Sequence, residues 1–392
     1  MKRLLYNLKL DFQLALKNIL AAGLRSWLNI GILSFAFITI LFFNGMMDGW
    51  EQQAVRDSID WEYGDGQYLH PEYEPLDPFT IEAGHGTFET HDKLTPILIR
   101  QGNIYPSGRM LPIMIKGIDL NRQTLKMPVE VLKNSPASIP VLIGNHMAKT
   151  NRLKVGDEIL MRWKDKNGTF DAQNITIAGI FESNVPAVDI GQVWMSLEQL
   201  WELSDLQQHA SLLVKDPDYQ GAGPAEWRFK SQDELLQNFY ALIEQKKGGS
   251  SFLYIILLLI ALIAIFDAQV FSVFKRQKEI GTYIALGFTR KRVTFLFTLE
   301  GTMYAIMACI IGGLLSIPLF AYLGQAGIPI GNKEMSYEMG ISVTENIYPI
   351  VGLPLISKTF FTVSLLALIV GYWPVRKIAK MNPVDALKGK KI

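Results

Sequence analysis

Four long apolar runs constrain the fold of this 392-residue chain more than any other feature. A helix needs about 20 apolar residues to cross the hydrocarbon core of a bilayer. The runs Trp27 to Met47, Phe252 to Phe274 and Phe295 to Leu323 reach that length, whereas Thr359 to Trp373 is short. The pattern predicts an α-helical membrane protein with four transmembrane helices and a large α+β extracytoplasmic domain between the first and second helices.

The apolar runs divide the chain into nine predicted segments. The membrane helices are placed at residues 27–47, 251–274, 293–323 and 357–374. The other segments are an amphipathic interfacial helix at 1–26, the extracytoplasmic domain at 48–250, a coupling helix or loop at 275–292, a short external loop at 324–356 and a cytoplasmic tail at 375–392.

The basic residues predict the orientation of the helices. Lysine and arginine cluster before the first run, between the second and third, and after the fourth. The loop between the third and fourth runs has only Lys333 and Lys358, which acidic residues outnumber. Because cytoplasmic loops carry the excess of basic residues, both termini and residues 275–292 are expected in the cytoplasm.

Composition and motifs exclude several classes of function. A formal net charge of +1 argues against a nucleic-acid-binding protein. The chain has no Gly-x-x-x-x-Gly-Lys-Ser/Thr loop, so any use of ATP would depend on a partner, and it has no His-Glu-x-x-His or Gly-x-Ser-x-Gly motif. His70, His85 and His91 match no zinc pattern and are expected in a solvated loop, so we predict no metal site and no enzyme activity.

Residues 48–250 alternate between strand-type and helix-type stretches. Lys166-Asn167-Gly168 predicts a hairpin between Ile159–Trp163 and Phe170–Ile180. Further strands are predicted at Ile97–Arg100, Leu111–Ile118, Val141–Ile143 and Leu212–Val214, and helices at Ala148–Leu153 and Leu197–Leu203. Helical stretches at Asp48–Ile59 and Asp233–Lys247 would continue into membrane helices and could carry movement, since a helix is stiff along its axis.

Two carboxylates interrupt the apolar runs. Asp267 lies eight residues before Lys275, and Glu300 lies eight residues after Arg292. At a rise of 1.5 Å per residue, each carboxylate lies about 12 Å inside the basic boundary, where both should point into the helix bundle or toward basic partners. They are candidates for a conformational switch, and the simpler alternative is a packing role near a hydrated interface.

The outer end of the first run is rich in large, flexible apolar side chains. Phe42, Phe43, Met46 and Met47 could accommodate an acyl chain or a drug entering from the outer leaflet. Ordinary contact with lipid explains most of the other aromatic and methionine side chains in this run.

Several motifs together carry a resemblance to a known family. They are Arg276-Gln-Lys-Glu279-Ile280-Gly281, Ala285-Leu286-Gly287, Glu300-Gly301 and the chain end from Pro374 to Lys388. In this combination the chain resembles the permeases of lipoprotein-releasing (LolC/LolE-like) and macrolide-exporting (MacB-like) ABC transporters, which share an FtsX-like domain. One departure is Ile284, at a position where the family often has arginine.

The resemblance implies a mechanotransmission transporter of the bacterial inner membrane. Two permease protomers, identical or related, would associate with two ABC ATPase subunits that bind ATP and Mg, while this chain binds no cofactor. The implied ATPase-coupling residues are Arg276, Lys278, Glu279, Ile280, Gly281, Ala285, Leu286 and Gly287. The implied substrate is a lipoprotein, extracted from the outer leaflet and passed to a periplasmic carrier.

Two other functions remain open from the sequence. One is an efflux permease for drugs, peptides or haem that works with a periplasmic adaptor. The other is an ATP-driven transmembrane regulator of a cell-wall hydrolase.

Overall fold

The computed structural model describes residues 24–329, except 76, 90, 123 and 222, and residues 346–379. Most of the predicted interfacial helix at 1–26, part of the predicted external loop and the end of the cytoplasmic tail lie outside these residues. The chain forms two compact units. We call residues 51–243 the barrel unit, and residues 24–50, 244–328 and 346–379 the membrane unit.

The helices and strands are numbered in chain order. The helices are α1 Leu24–Ser58, α2 Val129–Lys133, α3 Asn145–Asn151, α4 Pro186–Asp189, α5 Leu197–Ser204, α6 Gln232–Lys275, α7 Gln277–Ala285, α8 Arg290–Ala326 and α9 Leu353–Ala379. The strands are β1 Gln67–Leu69, β2 Gly86–Thr87, β3 Leu94–Ile104, β4 Leu111–Ile118, β5 Pro140–Gly144, β6 Glu158–Lys164, β7 Phe170–Phe181, β8 Gln192–Ser196, β9 His209–Ala210, β10 Leu212–Lys215, β11 Arg228–Lys230, β12 Ile328–Pro329 and β13 Asn346–Ile347.

Long apolar helices identify the chain as a membrane protein. In the described part of the chain, three helical segments are long and apolar enough to cross a bilayer: Ile30–Tyr63, Arg290–Ala326 and Leu353–Lys377. They overlap the predicted first, third and fourth membrane helices. The predicted second one, residues 251–274, falls within α6, and the four-helix layout remains a prediction.

The fourth apolar run forms a longer helix than its composition suggested. α9 begins at Leu353 and ends at Ala379, beyond both ends of the predicted 357–374. Pro354 lies in the first turn of α9, where its missing N–H breaks no helical hydrogen bond. Pro374 lies inside the helix, and α9 continues past it to Ala379.

Small residues let α1 and α8 approach closely inside the membrane unit. The hydroxyl of buried Ser34 donates to the backbone carbonyls of Ile30, at 2.8 Å, and Ala308, at 2.9 Å. A Cβ on Gly312 would lie 3.0 Å from the Ser34 carbonyl oxygen and 3.1 Å from Phe37 Cδ1. Close backbone approach and a hydroxyl bridge are common ways to join helices in lipid, where apolar burial gives little drive for association.

Six strands of the barrel unit close into a ring. The order is β3-β4-β8-β5-β7-β6, and the second half of β3 then pairs with β6 through Gly102 and Trp163. The first half of β3 pairs instead with β10, which continues the sheet to β1 and β11. The pairs β4–β8 and β5–β7 are parallel, whereas β3–β4, β5–β8, β6–β7 and β3–β6 are antiparallel.

Alternating side chains fill the two sides of this ring with separate cores. Buried side chains from all six strands form the first cluster, with Trp163 as the largest fully buried member. The residues between them, such as Ile99, Leu142 and Trp194, join a second cluster with Trp61 and Phe181. Because several strands are covered on both faces, they read as continuous apolar runs rather than as alternating ones.

Much of the local structure in the barrel unit was predicted from the sequence. β4 matches the predicted Leu111–Ile118, and the hairpin around Asn167-Gly168 is confirmed by antiparallel β6 and β7. The predicted helix Ala148–Leu153 has the wrong bounds, because α3 begins earlier and covers Asn145–Asn151. It ends before Arg152, which has a left-handed φ of 56°. β8, at Gln192–Ser196, was not predicted.

Candidate functional site

Arg276 joins α6 to α7 and is the central residue of the candidate site. Its Nη1 donates to both carboxylate oxygens of Glu300, at 2.8 and 2.7 Å. Its Nε donates to Glu279 at 2.7 Å. One guanidinium therefore ties the short helix α7 to the membrane helix α8 through charge-assisted hydrogen bonds.

The ion pair lies in a largely desolvated setting. Glu300 is 5% exposed, and the guanidinium carbon of Arg276 lies 4.8 Å from the centroid of the Phe297 ring. Burial alone lowers the pKa of Arg276, but the charges and hydrogen bonds of Glu300 and Glu279 outweigh it and hold the pKa above its usual range. Arg276 is therefore a fixed cation, and its contact with Glu300 is a structural link rather than a proton-transfer site.

Apolar packing forms the second link between α7 and the membrane helices. Ile280 of α7 is fully buried in one cluster with Val273 of α6, Val293 and Phe297 of α8, and Val375 of α9. A shift of α7 would therefore disturb the ends of α6, α8 and α9, since closely packed interfaces transmit strain.

A tight helix end follows α7 and explains the Ala-Leu-Gly motif. The amide of Phe288 donates to the Tyr283 carbonyl at 3.0 Å, and the amide of Gly287 donates to the Ile284 carbonyl at 3.1 Å. This is the Schellman pattern, and Gly287 has the positive φ of 92° that the pattern requires. The rings of Tyr283 and Phe288 also pack 5.5 Å apart and close the turn.

The predicted coupling residues fall into two groups by exposure. Ile280 and Gly281 are buried and Arg276 is half-buried, so these three face the membrane unit rather than an outside partner. The exposed residues are Lys278, Glu279, Ala285, Leu286 and Gly287. Leu286 is 72% exposed at the end of α7, which makes it an accessible apolar side chain.

The two intramembrane carboxylates lie in different environments. Glu300 is buried against Arg276, whereas Asp267 is exposed in this chain and does not pack into its helices, which leaves basic partners as the remaining expectation for Asp267. The inward position on α6 belongs to Gln269, which is 3% exposed. A Cβ on Gly301 would overlap the Gln269 amide, which explains the glycine after Glu300.

Gln269 is the residue of this region that sequence reasoning missed. Its signal was a second polar side chain two residues after Asp267, within the same apolar run. Two residues turn a helix by about 200°, so Asp267 and Gln269 must lie on nearly opposite faces.

The substrate-contact candidates lie near the segment that precedes α9. Phe42 packs against a cluster that includes Leu41, Phe320 and Val363, whereas Phe43 is 37% exposed. The Ile350 amide donates to the Gly45 carbonyl at 2.8 Å, and a Cβ on Gly49 would overlap the Tyr348 carbonyl. Phe42 therefore contributes to packing, and Phe43 remains an accessible candidate; Met46 and Met47 are partly buried.

The histidines do not form the solvated loop that the sequence suggested. Nδ1 of His85 lies 2.9 Å from Nδ1 of His209, which joins the adjacent pair β2 and β9. Burial, followed by the charges of Arg100 and His209, lowers the pKa of His85 to about 4. Within the described ranges, no group of three or more histidine, cysteine or acidic residues could hold a metal ion.

A protein-family comparison covers the region that contains the Arg276 junction. Residues 251–383 match the family described as FtsX-like permease C-terminal. The matched region begins within α6 and includes α7, α8 and α9, so Arg276, Glu279 and Glu300 all lie inside it.

Curated relatives match further parts of the chain. The macrolide export ATP-binding/permease protein MacB of Sodalis glossinidius is 29% identical over 144 residues, 35% of this chain and 19% of the relative. MacB of Neisseria gonorrhoeae is 25% identical over 237 residues, 56% of this chain and 34% of the relative. The probable syringafactin export ATP-binding/permease protein SyfD of Pseudomonas syringae is 25% identical over 168 residues, 41% of this chain and 22% of the relative. The aligned parts thus span about a fifth to a third of these relatives.

Proposed function

We propose that the chain is an ABC transporter permease of the FtsX/MacB type and the membrane subunit of a mechanotransmission transporter, which the FtsX-like match of residues 251–383 and the MacB relatives support. It would extract lipoproteins or other lipid-linked substrates from the outer leaflet of the bacterial inner membrane. The ATP would be hydrolysed by a separate subunit, so the chain itself would have no enzyme activity and would bind no cofactor.

The observation that carries this proposal is the exposed end of α7. Leu286 is accessible, while Ile280 and Arg276 of the same region are held by side chains of α6, α8 and α9. A partner that moved Leu286 would also move a helix anchored by an ion pair and an apolar cluster. This arrangement suits a subunit that receives force at one surface and passes it to its membrane helices.

The proposed assembly has two permease protomers and two ATPase subunits. Each ATPase would bind ATP and Mg and contact the exposed face of α7 in the cytoplasm, where both termini of this chain would also lie. The second protomer would be identical or related. A periplasmic carrier would receive the lipoprotein, and Phe43 would be the first side chain of the candidate group to meet its acyl chains.

Efflux is a second candidate, favoured by the names of the relatives. They are named for macrolide export and for probable syringafactin export, and the names include ATP-binding as well as permease functions. If this chain shared their type of substrate, it would work with a periplasmic adaptor rather than a carrier. The same α7 surface would serve both functions, because coupling to ATP hydrolysis does not depend on the substrate.

Co-purification from native membranes, followed by mass spectrometry, tests coupling and substrate together. We expect ABC ATPase subunits with the parent chain and a loss of most of that ATPase with Leu286→Asp. Val155→Asp is a matched control, because Val155 is 60% exposed in the barrel unit and lies far along the chain from α7. Absence of any ATPase with the parent chain would refute the coupling proposal.

The same preparation separates the two substrates. Triacylated lipoproteins bound to the complex would support lipoprotein release. A periplasmic adaptor together with an outer-membrane channel would support efflux instead. Either result leaves the role of α7 to be decided by the Leu286 variant.

A further inference from the structure

The barrel unit contains a buried arginine that has no carboxylate partner. Arg100, on β3, is 4% exposed. Its Nη1 donates to the backbone carbonyls of Ile81 and Glu82, at 3.5 and 3.4 Å, both near the upper limit for a hydrogen bond. Its Nε is buried without a hydrogen-bond partner, and no ion pair joins Arg100 to any residue in the described part of the chain.

Such an arrangement is costly for a folded protein. Arginine keeps its charge at all ordinary pH values, so it cannot avoid the cost of burial by losing a proton. Burial lowers the pKa of Arg100, while the more distant charges of Glu82 and Asp165 raise it only in part. Buried charges in proteins are normally paired, and an unpaired one therefore indicates a position for an anion.

A cavity opens beside the Arg100 side chain. Its volume is about 480 Å³, within the range of small-molecule sites. It lies where β3 leaves β10 and begins to pair with β6, so side chains from both β3 and β6 line it.

Basic and apolar side chains lie together in the lining of the cavity. Arg162 stacks over the Phe170 ring at 4.0 Å, and Lys164 lies 5.4 Å from the same ring. Arg100, Arg162 and Lys164 are among the lining residues, together with one carboxylate, Glu82. Met114 and Phe170 supply apolar side chains, whereas the side chains of Ile113 and Trp163 belong to the buried core beneath.

Glu82 already has a partner of its own. Its Oε1 accepts a hydrogen bond from Lys164 Nζ at 2.9 Å, and this pair is partly solvated. The one carboxylate of the lining is thus held by the exposed lysine rather than by the buried arginine. Glu82 would compete with any anion that entered the cavity.

We propose that this cavity binds a small organic anion, in which a carboxylate or phosphate group meets Arg100 and an apolar body lies against Met114 and Phe170. The unpaired Nε of Arg100 suits a planar oxyanion, because guanidinium and carboxylate groups form paired, charge-assisted hydrogen bonds. Arg162 and Lys164 would add attraction at the rim. The site belongs to the barrel unit alone and does not depend on the coupling role of α7.

Calorimetric titration of the full chain in lipid nanodiscs tests the site. The probes are benzoate and phenyl phosphate, with benzamide as the uncharged match for benzoate. We expect one benzoate or phenyl phosphate per chain and much weaker binding of benzamide. Equal binding of benzamide, or no binding of either anion, would overturn the proposal.

Variants with opposite expected effects make the test specific. Arg100→Gln should weaken anion binding by about tenfold or more, which corresponds to about 1.4 kcal/mol. Glu82→Gln should tighten it several-fold, since the competing carboxylate is removed. Lys133→Gln, exposed on α2 and outside the cavity lining, should leave it unchanged.

A second route covers the case in which Arg100→Gln fails to fold. Arg162 is exposed, so Arg162→Glu should keep the fold, as checked by circular dichroism, and should weaken anion binding several-fold by placing a negative charge at the rim. Unchanged affinity in either folded variant would show that the anion binds elsewhere and would overturn the assignment.

Discussion

Arg276 and Arg100 are both largely withdrawn from water, but the protein treats their charges in opposite ways. Arg276 is held by Glu300 and Glu279 and stacks on Phe297. Arg100 has two long hydrogen bonds to carbonyls and no ion pair within the described residues. The comparison teaches that a buried arginine paired with carboxylates can fix a helix junction. A buried arginine without a carboxylate partner is instead suited to receive an anionic ligand.

The largest expected effect comes from breaking the compensated pair. Glu300→Ala leaves Arg276 buried beside Phe297, and breaking a buried ion pair costs about 3–5 kcal/mol. We expect the free energy of unfolding of the membrane unit to fall by that order, measured by thermal unfolding in detergent.

A double variant separates the pair from general damage to packing. Arg276→Met with Glu300→Met removes both charges and keeps apolar volume, so it should lose less stability than Glu300→Ala alone. An equal or larger loss in the double variant would mean that the ion pair is not the main contribution of Glu300.

Arg100→Met should have a much smaller effect than Arg276→Met. It removes an uncompensated charge, so the free energy of unfolding should stay within about 1 kcal/mol of the parent value or rise above it. Arg276→Met should instead lose several times as much free energy of unfolding, since it removes the cation that pairs with buried Glu300. Thermal unfolding is monitored by tryptophan fluorescence. Equal losses of stability in the two variants would remove the distinction between the two arginines.

A substitution at Gly287 tests the helix end that follows α7. Gly287→Ala places a Cβ at a φ of 92° and should destabilise the end of α7 by about 1–2 kcal/mol. Gly313→Ala is a matched control, because its Cβ would meet nothing in α8 and alanine favours a helix. Hydrogen exchange of residues 283–288 should become faster only in Gly287→Ala; equal rates in both variants would argue against the Schellman end.

A dependence on pH in the barrel unit tests the electrostatic surroundings of Arg100. His85 has a folded pKa lowered to about 4 from 6.5, so its contribution to stability is complete above about pH 6.5 and is lost as the pH falls toward 4. His85→Asn should reduce the dependence of the melting temperature on pH over this range, whereas His91→Asn should not. Arg100→Met should also reduce the slope, because the positive charge of Arg100 is one cause of the lowered pKa; an unchanged slope in both His85→Asn and Arg100→Met would contradict this assignment.

Local patterns predicted many of the elements but not their partners. The boundaries of β4 and the hairpin of β6 and β7 follow from strand-forming residues and an Asn-Gly turn, both of which act over a few residues. The closure of β6 onto β3 joins residues about 60 positions apart, and no local pattern encodes that pairing. The cavity beside Arg100 exists only because of this closure, so the sequence offered no sign of it.

The Arg276 junction shows the same division within the candidate site. The sequence pointed to residues 275–292 and to Glu300, since basic groups and a carboxylate near apolar runs require partners. It treated Asp267 as the equivalent of Glu300, because both lie at matching distances from the basic boundary. The structure separates them: Gln269 takes the inward face of α6, and Asp267 is left exposed.

The sequence by itself determined that this is a membrane protein with a helical junction between apolar helices, because length, apolarity and glycine at a left-handed turn act locally. Only the tertiary structure decided which charges are compensated. Ion pairing depends on side chains that meet across separate elements, as Arg276 meets Glu300, or that fail to meet, as Arg100 and Glu82 do. That choice is made by packing, since electrostatic attraction in a protein falls off over a few ångströms and rewards only groups that the fold brings together.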